Sequence, residues 1–216
     1  MEPGFALVGL AGLMASLSAC GGTHCSYDKD CAADQVCSRF GSDCLKVLAR
    51  QDDFTDLSTW TFFEPDGGSY HQATDAGALL LQTAPGSAHA TGATRVFQPD
   101  GTGAIELVVR LRAQLGSSGR VGVGGFAGDP SAPSAQEFAL VTGTTVKPSI
   151  DYEAALRFNE GPKFQLLRLA DDAIVSNFSG GLTELLADHV SLSISAPDGG
   201  PAASLELVSL TVAQKQ

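Results

Sequence analysis

A chain of 216 residues with 24 Asp and Glu against 13 Lys and Arg carries a net charge of -11. With no basic block to neutralise phosphates, it is not a nucleic-acid binder. The length allows one good-sized domain with accessories rather than two large ones, and the charge offers anionic lipid no polybasic attraction.

The N-terminal segment is apolar from Phe5 to Leu13, FALVGLAGL, and continues through Met14, Ala15 and Ser16. A membrane-spanning helix needs about 20 apolar residues, so residues 1–19 read as a signal peptide with a short hydrophobic region. Met1-Glu2-Pro3-Gly4 departs from the usual pattern, having no Lys or Arg before the apolar run. A short buried or frayed N-terminal helix is the competing reading. The next four residues, Leu17-Ser18-Ala19-Cys20, place small side chains before a thiol. They resemble the lipobox of bacterial lipoproteins. The resemblance implies cleavage before Cys20, lipid on the Cys20 sulfur, and export to the bacterial envelope, at the outer membrane or cell surface. One acyl chain contributes about 0.8 kcal/mol per buried methylene and anchors only marginally. The diacylglyceryl group of such lipoproteins supplies the second chain that makes attachment stable.

Five cysteines is an odd number for an exported protein. Assigning Cys20 to lipid, with residues 20–24 as a tether, leaves an even set: Cys25, Cys31, Cys37 and Cys44, separated by five, five and six residues. The segment 25–44 is mostly polar and about 20 residues long, far too short to hold a fold by apolar burial, so two disulfides must hold it. Three pairings exist and spacing does not decide among them; the working choice is Cys25 with Cys37 and Cys31 with Cys44. A four-cysteine zinc site is the rival, but its knuckles favour gaps of two to four residues. The run CSYDKDCAADQVCSRFGSDC resembles small cysteine-rich knots found behind the lipobox of surface lipoproteins, which implies a stiff spacer. Residues 45–51 then read as a linker.

Beyond Gln51 cysteine disappears and short alternating stretches begin. Gly103 to Gln114 places Ile105, Leu107, Val109, Leu111 and Ala113 on one face and Glu106, Arg110, Arg112 and Gln114 on the other; Val108 alone breaks the alternation. His189 to Ser195 repeats the pattern, with Val190, Leu192 and Ile194 opposite His189, Ser191 and Ser193. These are strands with one buried face. Further strands are predicted at Ser69 to Ala73, Ala78 to Thr83, Thr94 to Gln98, Arg120 to Ala127, Glu137 to Thr142 and Tyr152 to Phe158. Lys163 to Ala170, Ala173 to Asn177 and Leu205 to Val212 complete the set. Pro- and Gly-rich turns separate many of them. The apolar phase slips between Leu207 and Val208, which predicts a bulge. Leu182 to Ala187 is the one helical candidate. About eleven short strands with regular turns make residues 52–216 an all-β antiparallel sandwich.

Asp52-Asp53-Phe54-Thr55-Asp56-Leu57-Ser58-Thr59-Trp60, followed by Asp75-Ala76-Gly77-Ala78-Leu79-Leu80-Leu81, resembles the opening of concanavalin A-like lectin and glucanase jelly rolls. Ser204 to Val212 is similar to their last strand. The resemblance implies a jelly roll whose last strand lies beside its first, and carbohydrate as the ligand class. Relatives of this fold hold calcium near those strands. Here Asp52 and Asp53 could contribute and the last strand adds only Glu206, so no cofactor is assigned and calcium stays a weak candidate.

Many glycosidases of the fold carry E-x-D-x-x-E on one strand, acid and nucleophile on a common face. This chain has no such triplet, although a carboxylate pair from different strands remains open. Gly122-Val123-Gly124-Gly125-Phe126-Ala127 matches a dinucleotide pattern by letter, but the Gly-Asp-Pro continuation cannot start the required helix. It reads as a glycine-rich strand packed closely on a neighbour. Trp60 reads as core. The polar face carrying Arg110, Arg112, His189 and Ser191 is the first place to look for a ligand. The sequence therefore reads as a non-catalytic, monomeric envelope lipoprotein whose lectin-like sandwich binds carbohydrate, a polysaccharide for example, or another envelope component. The alternatives are a degenerate glycosidase and a purely structural envelope protein.

Overall fold

The computed structural model describes residues 24–63, 70–86, 90–126, 137–159, 161, 163–179, 187–196 and 199–216. The leader, Cys20 and, apart from Ala187, the expected helix lie outside them.

In chain order, a 3-10 turn at Asp28–Asp30 precedes β1 (Gln35–Cys37) and β2 (Cys44–Gln51). Then come β3 (Trp60–Phe63), β4 (Tyr70–Ala73), β5 (Leu79–Gln82), β6 (Thr91–Val96) and β7 (Ile105–Gln114). The chain continues through β8 (Arg120–Phe126), β9 (Glu137–Thr142), β10 (Tyr152–Phe158), β11 (Lys163–Arg168), β12 (Ala173–Ser179), β13 (His189–Ser195) and β14 (Ser204–Gln214). Among the described residues one sheet has nine strands, ordered β1-β2-β14-β7-β10-β11-β12, with β5 also on β14 and β4 on β5. The other has five, ordered β3-β6-β13-β8-β9. Neighbouring strands run antiparallel, for example β7 with β14 and β8 with β13.

The alternation seen in the sequence builds the space between the sheets. Leu107, Val109 and Leu111 of β7 are fully buried, as are Val190, Leu192 and Ile194 of β13, and all join one apolar core. Each such side chain contributes about 1.5 to 3 kcal/mol on leaving water. Trp60 belongs to that core and lies 5.8 Å from Phe54, while its indole N–H donates to Gln51 Oε1 at 2.9 Å. In β14 the register against β7 shifts between Leu207 and Ser209. Val208 is the bulged residue, at the predicted slip, and the extra residue returns Leu210 and Val212 to the core face. The glycine-rich β8 is a strand packed tightly on its neighbours: a Cβ on Gly125 would come within 2.9 Å of Ala187 and Phe158.

The structure refines the sequence reading at one point and changes it at another. The Asp52 to Trp60 segment, which resembles the opening of a jelly roll, is mostly turn: Asp53 and Asp56 accept backbone N–H bonds from Thr55 and Ser58 and bend the chain until β3 begins at Trp60. Its Phe54 N–H donates to the Gly77 carbonyl at 2.8 Å, so the two resemblance segments do meet. Gly77 holds φ +75, a left-handed turn conformation that suits glycine.

The larger change concerns residues 45–51. Read as a linker, they form β2, which pairs with the second half of β14 from Leu210 to Gln214. The first half of β14 takes β5 on that side. The last strand thus lies beside β2, which starts at Cys44, and not beside the Asp52 to Trp60 segment. Alternation failed to reveal it because Lys46, Val47, Leu48 and Ala49 are all only partly buried.

The disulfides join Cys25 to Cys37 and Cys31 to Cys44, the pairing chosen above, and each closes a loop worth about 3 kcal/mol of unfolded-state restriction. They hold the β1–β2 hairpin, and the module lies against the outer face of the large sheet instead of projecting from it. Val36, Leu45 and Ala213 form a small second core. Val108, the residue that broke the alternation of β7, lines the seam between module and sheet. At the centre of the contact Glu106, 2 % exposed, pairs with Arg157 at 2.5 Å. Its two oxygens also accept from the Ser38 hydroxyl at 2.6 Å and the Arg39 backbone N–H at 2.9 Å.

Breaking a buried pair from one side costs more than the pair is worth, because a charge stays behind unmatched. Glu106→Gln is expected to lower the unfolding free energy by about 3 to 5 kcal/mol, read from urea denaturation with the disulfides intact. A loss under about 1 kcal/mol would show that this contact does not hold the module.

Candidate functional site

The antiparallel register of β7 and β10 sets oppositely charged residues across from one another on the outer face of the large sheet. Glu106 faces Arg157 and Arg110 faces Glu153, and one step further Arg112 meets Asp151, the residue before β10. The module covers the first part of this ladder. Arg39 reaches over it to Glu153 at 2.8 Å and back to Asp28 at 3.0 Å, and Arg110 holds the other Glu153 oxygen at 3.3 Å. Burial alone would lower the Arg39 pKa, but the charge of Glu153 and the hydrogen bonds to Asp28 and Glu153 carry it above its ordinary value. Burial likewise pushes the Asp28 carboxyl up. The hydrogen bond and charge of Arg39 and the Cys37 N–H outweigh that and hold it below the usual carboxylate range.

Past the module the ladder opens into a cleft of about 470 Å³. Arg112 is at its centre. The guanidinium forks onto Asp151, through Nε to Oδ1 and through Nη2 to Oδ2 at 3.4 Å. Its Nη1 donates to Glu206 Oε2 at 3.3 Å. Glu206 is the cross-strand partner of Arg112 on β14, so the sheet itself places these two groups. The hydrogen bond to Asp151 raises the Arg112 pKa above its ordinary value. Gln114, Ser204 and Ser149 supply further polar groups, and Leu80 and Ala113 the apolar ones. Ser149 holds φ +61, a left-handed conformation uncommon for a residue with a side chain. Two residues earlier, the Lys147 N–H donates to the Tyr152 hydroxyl at 3.0 Å, tying this loop to β10.

The four residues singled out from the sequence do not share one face. Arg110 and Arg112 lie on the outer face of the nine-stranded sheet, partly exposed. His189 and Ser191 lie on β13 in the five-stranded sheet, across the core, and are 8 % and 1 % exposed. His189 Nδ1 is 2.5 Å from Asp188 Oδ1. Strand parity correctly marked all four as pointing away from the core, but it carries no information on which of two sheets a strand joins. Asp151, Ser149 and Ser204 were missed as site residues, and Glu206 was weighed only for calcium, for the same reason: the register that brings them to Arg112 is not local.

The carboxylates weighed for calcium, Asp52 and Asp53, have other partners. Asp53 Oδ1 accepts from the Thr55 N–H, and Asp52 lies 3.6 Å from Arg50. Among the described residues these two and Glu206 form no ligand cluster. The one group of metal-type ligands found there is Cys25, Cys31 and Cys44, whose sulfurs are bonded in disulfides, so the zinc alternative has no thiolates to use. Glu106 and Glu153 are spent in ion pairs. Glu160 and Glu184 lie outside the described residues.

No family model and no curated protein matches this sequence. Solved structures match its fold. The CBM2 module of the evolved Dit of Lactobacillus casei BL23 phage J-1 superposes with a TM-score of 0.55 at 10 % identity, covering 80 % of this chain and 97 % of that one. The fold is a lectin-like antiparallel sandwich. The exoplasmic/lumenal domain of VIP36 in its Ca2+/Man3GlcNAc-bound form gives 0.51 at 10 % identity, over 80 % and 90 %. A structure from work on endo-acting O-glycanases that human gut microbiota express to initiate mucin breakdown gives 0.50 at 13 %, over 79 % and 100 %.

The Asp28 shift has a pH consequence with a definite sign. A carboxyl whose folded pKa lies below its unfolded value, about 3.9, stabilises the fold above that value and loses the contribution as pH falls through the folded one. Wild type should therefore outlast Asp28→Asn in urea at about pH 6, and the gap should close by about pH 2. A gap that persists unchanged in acid would mean that Asp28 acts through packing and not through its charge.

Proposed function

We propose that this chain is an exported lipoprotein of the bacterial cell envelope, anchored by lipid on Cys20, whose lectin-like sandwich binds carbohydrate without turning it over. The observation that carries the binding half is the cleft at Arg112. It is a preformed recess of hydrogen-bonding groups held in position by ion pairs and a strand register, the kind of site that fixes hydroxyls. The fold supports the ligand class, since similar folds include a CBM2 module and a domain in a Man3GlcNAc-bound form. The carboxylates of the cleft support a non-catalytic role. Asp151 and Glu206 accept from the same guanidinium, so neither is set apart as an acid against a nucleophile, the division that glycoside hydrolysis needs.

The anchor reading rests on the lipobox resemblance, and the docked module bears on its geometry. Cys20 is five residues before Cys25, and extended chain spans at most about 3.6 Å per residue, so the tether reaches roughly 18 Å. With the module folded onto the sheet, the sandwich works close to the bilayer and not on a stalk. No helix among the described residues is long and apolar enough to cross a membrane.

Two measurements test the two halves. Replacing Cys20 with Ser should move the protein from the membrane fraction to the soluble exported fraction; retention in the membrane would remove the lipid anchor. A glycan-array screen of the purified full-length protein should give saturable binding to at least one polysaccharide with no release of sugar. Silence across the array would leave a structural envelope role, and turnover abolished by a carboxylate substitution would make the protein a hydrolase.

A further inference from the structure

We propose that the Arg112 cleft selects an uncharged sugar, gripped at the ring edge through its hydroxyls, and rejects anionic glycans; this rests on the carbohydrate reading above. Its charge and its hydrogen-bond inventory both lead there. The guanidinium has five N–H donors, and three are already committed to Asp151 and Glu206. Each carboxylate offers about four acceptor sites. With two taken on Asp151 and one on Glu206, about five acceptors stand against two remaining guanidinium donors. Ser149, Ser204 and Gln114 can act in either sense. A group that donates several hydrogen bonds and accepts a few is the complement, and a run of sugar hydroxyls is such a group.

Charge excludes the nearest competitors. One guanidinium against two carboxylates leaves the cleft at -1, within a chain of net charge -11. A uronate or sulfate could reach Arg112 only by displacing Asp151 or Glu206, leaving a carboxylate without its partner beside the incoming anion. Arginine in a sugar cleft would ordinarily suggest an acidic glycan, but here its charge is already answered. The residue acts instead as a brace that spreads the two carboxylates and fixes their acceptor directions.

Shape decides how the ring sits. Among the described residues the lining holds no aromatic side chain, and Leu80 and Ala113 are its apolar contacts, so recognition by these residues runs through hydroxyls at the ring edge. A volume of about 470 Å³ is within the range of small-molecule sites and admits one or two rings. The site is also rigid before the ligand arrives. Arg112 and Glu206 are placed by strand pairing, and Asp151, just before β10, has its carbonyl held by the Leu169 N–H at 3.0 Å, so little backbone ordering remains to oppose binding.

The test uses the full-length protein at about 0.3 M salt, where long-range charge effects are screened. Neutral dextran, mannan and laminarin are compared with polygalacturonate, dextran sulfate and chitosan. The best neutral ligand is also compared with its own derivative oxidised to carboxylates at the primary alcohols. A neutral glycan should bind best, and its oxidised form at least about tenfold more weakly. Glu206→Gln and, separately, Asp151→Asn should each recover about threefold or more of that loss, with urea midpoints showing that both variants fold. Equal binding of the oxidised glycan, a charged glycan as the best ligand, or an unmoved ratio in both folded variants overturns the selection while leaving carbohydrate binding in place. Binding of no glycan at all overturns both together.

Discussion

Glu106 is a carboxylate taken almost wholly out of water and answered on every side. Arg157 neutralises it, Ser38 and the Arg39 amide satisfy its oxygens, and the last two belong to a different part of the chain. Removing an ion from water costs several kcal/mol, and only a partner with good geometry and filled hydrogen bonds offsets that. The outer face of the large sheet therefore cannot stand bare at this point, and the cysteine module is what covers it. The disulfides make the cover reliable, since a segment with almost no core of its own must be held in shape before it can present Ser38 and Arg39 together.

The same strip of strand register has two fates. Where the module lies over it, the charges of β7 and β10 become a buried fastening, with Arg39 reaching to Glu153 and Asp28. Where the module ends, Arg112, Asp151 and Glu206 stay at the surface and form a cleft. Fastening and cleft are thus consecutive rungs of one cross-strand ladder, and the difference between structural and ligand-facing roles is what lies above each rung. The opposite outer face, on the five-stranded sheet, has another character: small side chains such as Thr94, Ser191 and Ser193 are buried there.

Much of the fold was legible from local chemistry. Strand existence followed from the period-two alternation, and each of the eleven candidate strands is present within a few residues of its predicted limits. The bulge in β14 was readable because one extra residue reverses the facing of all that follow. The break at Val108 was readable too, though not what it meant: an apolar residue on a polar face marks a surface covered by something else. The segment from Leu45 to Gln51 was misread because a strand lying half beneath a module and half in the open shows no clean alternation.

By itself the sequence determined the class of the protein: all-β, antiparallel, stapled at its N-terminal end, acidic, without a one-strand catalytic triplet. These properties depend on residue type and near-neighbour spacing, and the chain carries both along its length. Only the tertiary structure decided which rungs meet. Arg112 is 39 residues from Asp151 and 94 from Glu206, and Arg39 is 114 from Glu153. Those meetings depend on strand order and on the register between strands. Both are set by how two apolar faces close on one another, a condition that no local pattern contains.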